Sequence, residues 1–243
     1  MQVEVCAFSL DSCRIAQDSG ADRIELCGGA PEGGTTPSYG LIQAARELLV
    51  IELYVMIRPR GGDFLYTDLE FEVMQRDVRS ARACEVDGLV FGLLRADGTV
   101  DEERTRELVE LAHPLPVTFH RAFDMSRDPE EALEAVIRTG AKRILTSGQQ
   151  ASAEKGILLL EKLVKQAAGR IQIMAGAGVT PQNATRIAAT GVQALHLTGK
   201  KVEPSPMTFR HPSLTMASVV PDEYERLGTD PALIRQLRLK VEI

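Results

Sequence analysis

Residues 117–124 read VTFHRAFD. In an extended chain successive side chains point to opposite faces. Val117 and Phe119 therefore share one face, while Thr118 and His120 share the other. Arg121 and Asp124 follow where the run should end. Such a strand packs an apolar neighbour on one side and meets something polar on the other. Seven further short runs share this β character: VEVCA from Val3, RIELC from Arg23, LYVMIR from Leu53, GLVFG from Gly88, RILTS from Arg143, IQIMAG from Ile171 and ALHLT from Ala194. Longer helical patterns separate them, among them Asp68–Glu85, Asp101–His113, Asp128–Gly140 and Thr180–Gly191. Asp128 before Pro129 opens one of these helices and Gly140 can close it; Thr180-Pro181 and Gly191 repeat the pattern.

Eight β units alternating with helices over 243 residues predict a parallel sheet closed as a single (β/α)8 barrel of the TIM type, with a doubly wound open sheet as the other possibility. No linker or change of composition divides the chain, so residues 1–243 read as one domain. Residues 199–227 stand apart: three prolines before residue 213 and little periodicity give a long irregular loop before the last helix.

In a closed barrel one strand face packs on helices and the other points inward. Val3/Val5, Ile24/Leu26, Leu53/Val55/Ile57, Leu89/Phe91, Val117/Phe119, Ile171/Ile173 and Leu195/Leu197 suit the outer face. The complementary sets are then Glu4/Cys6, Glu25/Cys27, Tyr54/Met56/Arg58, Thr118/His120, Gln172/Met174 and His196/Thr198. Two carboxylates, an arginine and two histidines in a barrel interior must pair with one another or with a ligand, because desolvating an unpaired charge is costly. An internal network in which Arg58 neutralises Glu4 or Glu25 is one reading. A site at the C-terminal mouth, with Glu4, Glu25, His120 and His196 as candidate proton carriers, is the other.

Composition narrows the partners. A net charge of −6 argues against a general nucleic-acid surface, and the chain has no apolar run long enough to span a membrane. No signal peptide is evident, and Cys6, Cys13, Cys27 and Cys84 form neither a disulfide framework nor a zinc-finger spacing. Together these predict a soluble, reduced, cytoplasmic protein.

The strand exits carry charge and glycine. RPRGGDF at 58–64 places Arg58 and Arg60 on a turning loop, with Asp63 beside them, in a form suited to a carboxylate or phosphate. Ser147-Gly148 and Gly176-Ala177-Gly178 offer backbone amides to an anion, the second ahead of a capped helix. Arg121 and Asp124 belong at the rim. Cys6 and Cys27 fall at matching ends of neighbouring strands, where two thiolates would suit Cu(I), with Met56 or His196 completing the shell. Cys13 and Cys84 read as structural.

Taken together, ADRIELC (21–27), EGGTTPS (32–38), RPRGGDF (58–64), TFHRAFD (118–124), LTSG (145–148) and MAGAGV (174–179) resemble the CutC copper homeostasis family over about residues 2–210. The resemblance implies a cytosolic (β/α)8 barrel, copper binding and homo-oligomers, dimers or tetramers. It marks Glu4, Cys6, Glu25, Cys27, Arg58, Arg60, Asp63, His120, Arg121, Asp124, Thr146, Ser147, Gly148, Gly176, Gly178 and His196 as matching positions. The chain departs from the family pattern at HLTGKK (196–201), after the eighth strand. Two functions follow as expectations: Cu(I) binding at Cys6 and Cys27, or an enzyme acting on a small anionic or phosphorylated metabolite held by Arg58, Arg60 and the glycine loops.

Overall fold

In the computed structural model, which describes residues 1–214 and 223–241, eight parallel strands close into a barrel in sequence order. They are β1 (Gln2–Ala7), β2 (Arg23–Leu26), β3 (Glu52–Met56), β4 (Gly88–Phe91), β5 (Val117–Phe119), β6 (Arg143–Thr146), β7 (Gln172–Ala175) and β8 (Ala194–Leu197). Closure is made by β1 pairing with β8, with Glu4 opposite His196. On the other side β1 pairs with β2, with Cys6 opposite Glu25. The outer helices are α1 (Leu10–Asp18), α2 (Tyr39–Leu48), α3 (Asp68–Ala83), α4 (Glu102–Ala112), α5 (Pro129–Thr139), α6 (Ile157–Ala167), α7 (Ala184–Ala188) and α8 (Pro231–Val241).

Local signals explain where several helices begin and end. Thr67 and Glu70 form a reciprocal capping box at the start of α3, satisfying two amides that have no partner within the helix. Asp128 accepts from the Glu130 and Glu131 amides, and α5 closes on Gly140 at φ 89°, a conformation in which a Cβ would be strained. Thr180 does not start α7. Asn183 is its N-cap, and the Asn183 side-chain Oδ1 accepts from the Thr180 amide, so the chain turns for three residues before the helix begins.

The period-two pattern divides the core. Val3, Val5, Ile24, Leu26, Leu53, Val55, Leu89, Phe91, Val117 and Phe119 pack with the helices in one large apolar cluster. Cys6, Cys27, Tyr54, Met56 and Val90 form a separate cluster, as do Leu145, Met174 and Ala194; these come from the opposite strand faces and fill the interior. Each fully buried Leu, Ile or Phe contributes about 1.5–3 kcal/mol through removal from water. The outer shell therefore supplies the stability that lets the interior carry charge.

Two elements differ from expectation. Residues 200–204 and 225–229 are β9 and β10, an antiparallel pair in register from Lys200–Thr229 to Pro204–Glu225, where the sequence reads as irregular loop. Their pairing satisfies backbone groups that an isolated loop would leave to water. Part of that segment, 215–222, lies outside the described residues. His120 falls just past β5 as the N-cap of a short 3-10 turn, Arg121–Met125.

Candidate functional site

At the floor of the barrel Glu4 is fully buried. His196 Nδ1 lies 2.8 Å from Glu4 Oε1, Arg23 Nη1 lies 3.3 Å from Oε2, and Arg143 Nη1 lies 3.8 Å from it. Arg23 also reaches Glu52 at 2.7 Å and stacks on the Tyr54 ring, 3.7 Å from its centroid. Arg23 and Arg143 therefore neutralise Glu4. Arg58, the partner suggested by the inward pattern, does not. Burial alone would raise the Glu4 carboxyl, but the His196 hydrogen bond and charge, with Arg23 and Arg143, hold it below the ordinary carboxylate value.

Above Glu4 sits a cluster of different character. Cys6 Sγ and Cys27 Sγ are 3.7 Å apart, and Cys27 Sγ is 3.7 Å from Glu25 Oε2. His196 Nε2 lies 3.7 Å from the same oxygen. Cys6, Glu25 and His196 each bring one ligand atom within 4.8 Å of the others. The hydrogen bond with Cys27 pulls the Cys6 thiol down to about 6, against the opposing effect of burial. The Cys27 thiol is pushed well up by its hydrogen bond to Cys6 and by burial. Burial likewise drives the Glu25 carboxyl well above its usual range. His196 is disfavoured as a cation by burial, yet Glu25, Cys6 and Glu4 around it raise it well above 6.5. The opposed shifts, Cys6 down and Cys27 up, favour a single thiolate held within the pair. Gly34, at φ 102°, closes over them; a Cβ there would meet Cys27 Sγ at 3.2 Å and the Met56 methyl at 3.6 Å.

This cluster opens into a cavity of about 830 Å³ at the strand C-termini, whose walls include Cys6, Glu25, Met56, Arg58, Phe64, His120, Arg121, Gly178, His196 and Thr198. Lys200 and Leu227–Thr229 of the β9–β10 pair add a further wall. Cys27 and Glu4, both fully buried, are not part of the lining.

Most of the other expected anion holders are engaged by the protein itself, while Gly178 stays in the cavity wall. Asp124 does not stand free at a rim: its Oδ1 accepts from Thr146 Oγ1 at 2.5 Å, from the Ser147 amide at 3.0 Å and from the Gln149 amide at 3.2 Å. Ser147 Oγ also donates to Asp124, at 2.9 Å. The Ser147 and Gln149 amides are thus filled by an internal carboxylate, and the Gly148 amide by Thr146 Oγ1 at 2.9 Å. Arg121 pairs with Asp124 at 2.7 Å while still facing the cavity. Arg60 is bound to Glu70 at 2.6 Å and Asp63 at 3.0 Å; neither Arg60 nor Asp63 lines the cavity. Gly176 packs against Leu145 and His196, where a Cβ would meet them at 2.6 and 3.3 Å. Its role is close packing, and the five-residue α7 beyond provides no anion-binding N-terminus.

Arg23 and Arg143 were absent from the sequence-derived site. Arg23 is two residues before Glu25, so strand parity alone turns it inward, although it is the first residue of β2. Arg143 carries the same ambiguity in β6.

A closed (β/α)8 barrel with a buried thiol, carboxylate and imidazole cluster under its C-terminal mouth is the class that fold and site define. The CutC family profile matches residues 1–201, and the chain belongs to the CutC family. It is 53% identical to a family protein CutC of Bacteroides thetaiotaomicron over 228 residues, covering 93% of this chain and 92% of that protein. It is 48% identical to the human copper homeostasis protein cutC homolog over 237 residues, covering 97% of this chain and 87% of the human protein. The solved structure of the Streptococcus agalactiae CutC matches with TM-score 0.78 at 37% identity, over 82% of this chain and 98% of that one. A thiamine phosphate pyrophosphorylase from Pyrococcus furiosus matches at TM-score 0.59 and 19% identity, which reflects the shared barrel fold alone. Among the described residues no helix is long and apolar enough to cross a membrane.

Proposed function

We propose that this copper homeostasis family member binds one Cu(I) ion at Cys6 and Cys27. The observation that carries the reading is the 3.7 Å separation of the two sulfurs, with Cys6 already drawn to about 6 and so largely thiolate at neutral pH. Thiolates and thioethers are the donors that favour Cu(I) over the hard divalent ions. With a metal–thiolate bond of about 2.3 Å, the zinc value, two sulfurs so spaced subtend about 107° at the ion, whereas a linear pair would stand about 4.6 Å apart. The pair therefore suits a bent site with room for a third donor. His196 Nε2 is placed for that role, and Met56 packs in the same cluster as the two cysteines. Glu25 is buried beside the pair, and burial raises its carboxyl well above the usual range, which disfavours its charged form as a further donor.

The proposal extends to the setting. The four cysteines are free, in keeping with a reducing cytoplasm. Exposed Met207, Phe209 and Leu214 beyond β9 are apolar surface of the kind that homo-oligomers cover. The experiment is an anaerobic Cu(I) competition titration of the native protein beside a Cys6→Ser/Cys27→Ser variant. One tight equivalent in the native protein, lost in the variant, is expected. Equal affinity in both would end the reading.

A further inference from the structure

A metal ion held by two thiols does not account for the cavity above them. At about 830 Å³ it falls in the range of sites that enclose an organic molecule of roughly 300–1,000 Å³. Two of its lining groups are unusual. Arg58 is 6% exposed, and its guanidinium meets backbone carbonyls: Nη1 donates to Glu32 O at 3.0 Å and to Gly34 O at 2.9 Å, and Nη2 donates to Gly62 O at 2.7 Å. Among the described residues no carboxylate lies within 4.0 Å of it; Glu32 presents its carbonyl, and Asp63 is given to Arg60. Its Nε has no partner. A buried cation lacking a counter-charge is an arrangement that folding alone disfavours.

His120 is the second group. It is 4% exposed, and its Nδ1 accepts from the Ala122 amide at 3.2 Å. That edge of the ring is pressed on Gly92, where a Cβ would come within 2.6 Å of Nδ1. With Nδ1 accepting, the neutral ring carries its proton on Nε2, a buried nitrogen with no partner in the protein, which a ligand reaches by a small shift of the ring toward the cavity. Burial, with the Arg58 charge next, pushes His120 down to about 3, so it stays a neutral donor and is no base at physiological pH. Phe64 bridges the two groups, its ring 5.0 Å from that of His120 and 4.8 Å from the Arg58 guanidinium carbon.

We propose that the cavity binds a small organic carboxylate, its charge balanced by Arg58, one oxygen taken by the His120 Nε2–H, and its apolar body lying against Phe64 and Phe8. A carboxylate fits better than a phosphate. A carboxylate matches the single charge of Arg58, and of the β6-loop amides that could cradle a phosphate, those of Ser147 and Gln149 already hold Asp124 while that of Gly148 is given to Thr146 Oγ1. The inference stands independently of copper, since Arg58 and His120 are not the thiol-site donors.

The test is calorimetric titration of the copper-free protein with acetate, butyrate, benzoate and benzamide, in parallel with Arg58→Gln, His120→Asn and Cys6→Ser/Cys27→Ser. Asparagine keeps an acceptor for the Ala122 amide and removes the Nε2–H, so His120→Asn tests the contact with the fold retained. Saturable one-to-one binding is expected, tighter from acetate to benzoate. Benzamide should bind about tenfold or more weaker than benzoate, as should benzoate to either Arg58→Gln or His120→Asn. The double cysteine variant should bind benzoate like the native protein. Absence of saturable binding for all three carboxylates overturns the inference. Equal binding of benzamide and benzoate, or benzoate binding indifferent to both Arg58→Gln and His120→Asn, overturns it as well. Loss of copper binding in the cysteine variant with benzoate binding intact separates the two sites.

Discussion

Replacing Glu4 by glutamine removes one charge from the centre of the barrel and leaves its shape. In the native protein the carboxylate lies 3.3 Å from Arg23, 3.8 Å from Arg143 and 2.8 Å from His196 Nδ1. At an effective dielectric of about 20, a charge pair 3.3 Å apart interacts by about 5 kcal/mol. Both arginines stay buried in the variant, and only Arg23 retains a second carboxylate, the half-exposed Glu52. Breaking one side of a buried pair costs about 3–5 kcal/mol because the other charge is left uncompensated. Glu52 sets the expectation at the lower end of that range. For a chain of this size about 3 kcal/mol corresponds to a fall in Tm of about 6–12 °C. Urea denaturation with calorimetry measures it, with Glu203→Gln on the exposed β9 as a control that should shift stability by under about 0.5 kcal/mol. A loss below about 1 kcal/mol for Glu4→Gln would refute the assignment of Glu4 as the counter-charge of the interior.

Three further outcomes follow from the same contacts. Glu4 is held below its unfolded value, so its contribution is present above the ordinary carboxylate range and is lost as pH falls through the lowered value; His196 is raised, so its contribution is complete below about 6.5 and lost as pH rises through the raised value. Denaturation midpoints across pH should therefore show a plateau with two falling limbs, and His196→Asn should flatten the alkaline limb. Asp124→Ala empties the turn after β6 of an acceptor that takes bonds from Thr146, Ser147 and Gln149; about 2–3 kcal/mol is expected to be lost, with faster amide exchange at Ser147 and Gln149. Gly92→Ala should displace the His120 ring, since its Cβ would stand 2.6 Å from Nδ1; weakened benzoate binding with little change in Cu(I) affinity is the expected result.

The barrel was legible because strand and helix periods alternate without interruption, and because period two separates two chemically unlike faces. Val3 and Val5 against Glu4 and Cys6 shows the alternation in one strand, and the helical patterns between the strands make the sheet parallel. Glu4, Cys6, Glu25, Cys27 and His196 could be placed together from parity alone. What resisted reading is non-local. Nothing near Ser147-Gly148 in the chain says that Asp124, over twenty residues earlier, fills its amides. Arg58 pointed inward by parity but found carbonyls of the 32–34 and 62 turns, because β3 ends at Met56 and the chain is already turning. Thr180-Pro181 carries a helix-start signature that Asn183 overrides. In β9 and β10, KKVEP and ERLGT lack apolar alternation because neither face of that pair is deeply covered, so pairing alone defines them.

The central claim is that two sulfurs of the barrel interior hold the copper. The most direct measurement is X-ray absorption at the copper edge of the native protein loaded anaerobically with one equivalent of Cu(I). Two sulfur donors with one nitrogen or a third sulfur, and loss of the sulfur shell in Cys6→Ser/Cys27→Ser, is the predicted result. A first shell of nitrogen and oxygen only, or a sulfur shell unchanged in the double variant, would contradict it.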